Sequence, residues 1–218
     1  MEHFVFTAIY SLQAAIFLAA LLFHFMKNNS GLVTTYVLQS AFVAAILLAV
    51  YYREGSLVFL LLLLATIAIK CFLVPKVLSR LIKKHELTFA SATYLPTFVV
   101  LLITLFIVIF IHSSIAPLFA GIVTTSGDLS FLLLSSLFVS LLLAINHKEA
   151  LSQIVGILSM ENSIVALALA LNVHVGLWLE LGILGDIFAW LLIGTTFVSV
   201  VSKHFGSTDV TSMRHLSE

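Results

Sequence analysis

Apolar runs of roughly twenty residues follow one another along this chain, separated by short polar turns, and they leave it few ways to fold. In hydrocarbon every backbone N–H and C=O must find its partner inside the structure, so such runs cross a bilayer as helices. Composition agrees. The chain is 61% hydrophobic and only 9% charged, where a soluble domain carries about 25% charged residues. The pattern predicts an all-α, polytopic membrane helix bundle with about seven transmembrane helices.

The expected spans cover residues 4–26, 32–52, 56–74, 93–112, 129–145, 153–172 and 177–202. Glu2 precedes the first, with no Lys or Arg, so it reads as a retained helix and not as a signal peptide. Lys27 to Gly31, Arg53-Glu54-Gly55 and Asn146 to Glu149 read as turns. Gln39 and Ser40 in the second span read as interhelical hydrogen-bonding groups. Pro75 closes the third span, and the basic stretch 76–86 after it, with Lys76, Arg80, Lys83 and Lys84, reads as an amphipathic helix lying on the membrane surface. The uncharged stretch 113–127 is too short for a span and reads as an interfacial or re-entrant loop. The organisation expected is a four-helix part over 1–128, a three-helix part over 129–202, and a polar tail over 203–218.

Charge gives an orientation. With the N-terminus outside, the inner segments hold Lys27, Lys76, Arg80, Lys83, Lys84, Lys148, Lys203 and Arg214, and the outer segments hold Arg53 alone. That bias places the C-terminus in the cytoplasm of a cell whose inner membrane holds the chain. Net charge is zero, so there is no basic footprint for nucleic acid. A single cysteine, Cys71, excludes an internal disulfide or a cysteine metal cluster. No GxxxxGK, CxxC, HExxH or GxSxG occurs, and the eight histidines are scattered, so no cofactor or metal is expected.

The sixth span carries the chemistry. Glu161 lies near its middle, and charged groups at that depth face protein or water and usually have a task. Ser152, Gly156, Ser159 and Ser163 fall on one narrow helical face, a strip that lets a neighbouring helix approach closely. The fifth and seventh spans are the expected neighbours. Glu161 points about 180° away from that strip. It lies 12 residues beyond Glu149, or about 18 Å from the inner edge. In the seventh span Gly182, Gly185 and Asp186 share a small-residue face, with Asp186 roughly 15 Å from the outer edge. Glu180 lies about 9 Å farther out. Lys70 has two readings. One turn from the expected end of its span, it snorkels to the interface, the simpler outcome; alternatively it is a buried cation paired inside the bundle. Acids at stepped depths suit a proton relay, with Glu161, Glu180, Asp186 and Lys70 as candidates; they equally suit a polar packing network.

The run from Gln153 to Glu161 and Asn162, followed by Glu180-Leu-Gly182 and Asp186, resembles component E of hydrogenase-4-type complexes, as do Lys70 and Pro75 before a basic stretch. The last three spans are also similar to the K subunit of bacterial complex I, which carries one membrane glutamate on its second helix and one on its third. Glu161 matches the first. For the second, Glu180 has the residue type and Asp186 the better depth. The resemblance implies a non-catalytic membrane subunit of an energy-converting, hydrogenase-like assembly. It would contribute to the proton path and to the membrane-arm scaffold, beside antiporter-like subunits and a peripheral hydrogenase-like module holding the redox chemistry. The alternatives are a subunit of a multisubunit cation/proton antiporter and a purely structural anchor. A standalone transporter is disfavoured, since no inverted repeat is visible.

Overall fold

The computed structural model describes residues 2–87, 93–115, 117 and 127–171, and then 185, 192, 194–196 and 198–200. These residues form helices α1 (Glu2–Phe23), α2 (Asn29–Glu54), α3 (Leu57–Lys84), α4 (Thr97–Ile115), α5 (Gly127–Asn146) and α6 (Ala150–Ala170). Among the described residues no strand forms; an isolated bridge joins Thr93 and His147, and Asn28 and Glu149 also stand at bridge positions. The chain is thus an all-α helical bundle. Four helices, α2, α3, α4 and α6, are long and apolar enough to cross a membrane. Residues 185, 192, 194–196 and 198–200 are helical within the expected seventh span; the rest of that span, the tail 203–218 and most of the loop 113–127 lie outside the described residues.

Local chemistry sets the helix boundaries. The Asn28 side chain accepts from the Gly31 N–H and so caps α2. At the other end Gly55 adopts φ 65°, and its N–H closes the last turn on the Tyr51 carbonyl. A residue with a Cβ would be strained in that left-handed position. The Ser56 side chain then caps α3 at the Val58 N–H. Pro96 precedes α4, where its missing N–H costs nothing.

The basic stretch differs from its expected form. It is no separate surface helix: α3 runs unbroken through Pro75 to Lys84. The reason lies just before the proline. Residues Ile67–Leu73 form a π-helical stretch, with the Val74 N–H bonded to the Ile69 carbonyl, five residues back. In this widened ladder, proline's absent N–H removes no regular α bond at its junction. The Val74–Lys84 portion continues α3 and buries Val74, Leu78 and Leu81.

α2 packs between α1, α3 and α6; α5 packs against α1, α4 and α6. The core runs across the expected division at 128/129, with Phe23, Leu32 and Val74 in one cluster with Leu143 and Leu151. The outside is apolar: Leu57, Leu61 and Phe72 of α3 and Phe98, Leu105 and Phe106 of α4 are exposed. Meanwhile Gln39, Ser40, Lys70, Glu161 and Asn162 are buried. Apolar surface around a polar interior is the arrangement a bilayer favours.

Candidate functional site

Three helices converge on one buried polar layer. Lys70 on α3 is 2% exposed. Its Nζ donates to Asn162 Oδ1 of α6 at 2.8 Å. The amide nitrogen of Asn162 donates to Ser40 Oγ of α2 at 2.9 Å and to Gln39 Oε1 at 3.3 Å. Glu161, next to Asn162, is 8% exposed, and its carboxyl lies close enough to Lys70 to act on it electrostatically. Tyr36, fully buried one turn before Ser40, is in the field of the same carboxyl. Lys70 therefore does not snorkel. Continuous helix through Pro75 puts it 14 residues from the end of α3 at Lys84, not one turn from an end.

The layer is deep. Gln39 lies 10 residues into α2 and Asn162 lies 12 residues into α6, about 15 and 18 Å along helices that start at the same end of the bundle. Lys70 likewise lies midway along α3, 13 residues from Leu57 and 14 from Lys84. Lys70 sits within the π-helical stretch. Such single-turn bulges often mark functional positions in otherwise regular helices.

The opposite side of α6 is built differently. Gly156 faces α5, and a Cβ there would lie 2.7 Å from the Ala144 backbone nitrogen. Ser159 and Ser140 oxygens are 2.7 Å apart, and Ser163 and Ser136 oxygens 2.8 Å. Gly156, Ser159 and Ser163 thus lie along α5, while Ser152, the first member of that strip, donates to Glu149 Oε2 at 3.4 Å. In the last span Gly194 meets the Ile154 side chain, so α6 also has a neighbour there. Gly185 is exposed, and a Cβ there would meet nothing within 4 Å among the described residues. Glu180, Gly182 and Asp186 lie outside the described residues.

A second polar cluster ties together the basic end of the bundle. Glu149, expected in a short turn, is 1% exposed. Asn29 Nδ2 donates to its Oε1 at 2.9 Å and to the Leu87 carbonyl at 3.0 Å. Glu149 occupies the N-cap position of α6, where a negative charge meets the positive end of the helix dipole. The Asn146 side chain accepts from the Leu95 N–H at 2.8 Å, and Gln153 Nε2 donates to the His147 carbonyl at 2.9 Å. His147 donates from Nδ1 to the Leu143 carbonyl at 3.2 Å, and its ring lies 6.3 Å from that of His24. Burial holds the His147 imidazole below the usual histidine range, against the opposing pull of that carbonyl.

Sequence reasoning singled out Gln39, Ser40, Glu161 and Lys70. It missed Asn162 as the hub, although an amide in mid-span of an aliphatic helix was the available signal. It also missed Glu149, whose burial depends on Asn29, 120 residues away. Among the described residues no three His, Cys, Asp or Glu side chains gather as a metal site.

Fold and site define a class: an apolar-surfaced helix bundle, with helices long enough to cross a membrane, enclosing a polar, hydrogen-bonded layer midway along them. No family model, no curated protein and no solved structure matches the chain.

Proposed function

We propose that this chain is a non-catalytic membrane subunit of an energy-converting, hydrogenase-like assembly related to complex I, contributing to its proton path and its membrane-arm scaffold. The observation that supports it best is the buried Lys70–Asn162 contact with Glu161 beside it, since ionisable groups at that depth are costly and are kept where charge or protons move. In this reading Glu161 takes up and releases a proton. Lys70 answers that change of charge across a gap spanned by flexible side chains. Asn162, Gln39 and Ser40 hold the layer together without titrating. The membrane is the inner membrane, with the basic end of the bundle in the cytoplasm. Redox chemistry belongs to partner proteins.

Isolation of the native complex through a tag on this chain tests the assembly. Antiporter-like membrane subunits together with a hydrogenase-like peripheral module are expected. Antiporter-like subunits alone would favour a cation/proton antiporter, and recovery of the chain by itself would favour an anchor.

A further inference from the structure

We infer that the basic end of α3 is a binding site for an anionic phospholipid, with Lys76 and Arg80 on its phosphate. The exposed face of α3 is a single stripe at three- and four-residue spacing. It is apolar from Leu57 to Phe72 and turns basic at Lys76, followed by Arg80, Lys83 and Lys84, all exposed. Leu57 and Lys76 are 19 residues apart, about 28 Å of helix, which is close to the thickness of the hydrocarbon core. The first cation therefore stands where acyl chains give way to headgroups.

Depth then separates the cations. Headgroups add about 5–8 Å on each side of the core. Arg80 rises about 6 Å above Lys76, within that zone, whereas Lys83 and Lys84 rise about 10–12 Å and reach water. Lys76 and Arg80 lie one turn apart on the same face, so a phosphate can meet both. The guanidinium offers a fork to two phosphate oxygens and the ammonium adds a point charge. The other face of this portion buries Val74, Leu78 and Leu81, so the cations are held outward. Among the described residues none of the four is in an ion pair; the one salt bridge, Arg53 to Glu54, is at the opposite end. Glu86 is the acid closest to them in sequence. An acidic protein surface would meet Lys83 and Lys84 first. The lipid is favoured because the apolar stripe directly beneath Lys76 gives its chains a continuous wall.

The full chain in nanodiscs of mixed phosphatidylcholine and phosphatidylglycerol, released and examined by native mass spectrometry, tests this. The wild type should retain phosphatidylglycerol in preference to phosphatidylcholine. Each cation near an anionic headgroup contributes about fivefold. Lys76→Gln with Arg80→Gln should therefore cut the preference by one order of magnitude or more, and Lys83→Gln with Lys84→Gln, the same change in charge, should leave most of it. Lys76→Arg with Arg80→Lys should keep it, showing that the site survives when charge does. Equal retention of the two lipids by the wild type would overturn the inference, and so would an outer pair whose loss matters as much as the inner pair's.

Discussion

The two long faces of α6 meet their neighbours by different means. Toward α5 the residues are small, the backbones nearly touch at Gly156, and Ser159 and Ser163 each hydrogen-bond to a serine of α5 at 2.7 and 2.8 Å. Toward α2 and α3, at the same depth, the residues are long and polar, and Lys70 spans the gap to Asn162. Small residues seal an interface, since little there can move without a clash. Long side chains joined through an amide leave room for rearrangement. One helix thereby has a fixed side and an adjustable side, and the proposed proton-carrying role would draw on both.

Gly156→Leu attacks the fixed side and has the largest expected effect. Overpacking costs about 1–3 kcal/mol and occasionally more. Here the added atoms meet backbone, which cannot turn aside, so loss of folded protein is expected in size-exclusion recovery. Gly156→Ala should be recovered with a lowered Tm. Wild-type recovery of the leucine variant would mean that α5 and α6 are not locked at this point.

The adjustable side is probed by Asn162→Leu. It strips the Lys70 ammonium of its hydrogen bond, and bonds to charged groups contribute about 1.5–3 kcal/mol. A destabilisation of that size is expected in thermal unfolding in detergent. Lys70→Met combined with Asn162→Leu should recover most of it, because a buried polar pair replaced on both sides by apolar groups is often near neutral. A double variant no more stable than Asn162→Leu alone would show that the two residues are not coupled.

The smallest effect concerns the basic end. His147 is held neutral by burial, so its folded-state pKa lies below the unfolded value of about 6.5. Below that value the unfolded chain takes up a proton that the folded chain resists, and stability falls as pH falls. The stability due to His147 is fully present above about pH 6.5 and is lost on acidification. Tm measured from pH 8 to pH 5 should fall less steeply in His147→Gln than in the wild type. Parallel slopes would assign the acid sensitivity to other groups.

These contrasts were unequally legible in the sequence. The strip at 152, 156, 159 and 163 could be read because helical periodicity alone puts small residues on one face. The position of Lys70 could not. Pro75 reads as the end of a span, which puts Lys70 near an interface, whereas the π-helical stretch carries the helix through the proline and leaves the lysine midway along it. The burial of Glu149 rests on groups from two distant turns, Asn29 and the segment ending at Leu87, and no local pattern announces such a meeting. Asn162 was visible as a polar residue, but its part as a hub depends on which helices surround it.

In the proposed function Glu161, on the adjustable side of α6, carries the proton. The most direct measurement compares Glu161→Gln and Glu161→Asp in the intact native complex, with assembly and proton translocation in proteoliposomes scored separately. Gln keeps the shape and the hydrogen bonding but cannot exchange a proton, while Asp keeps the chemistry and loses reach. Normal assembly is expected for both, with strongly reduced translocation for Gln and partial translocation for Asp. Wild-type translocation in Glu161→Gln, with Glu161→Asp the worse of the two, would contradict it and make Glu161 a packing residue.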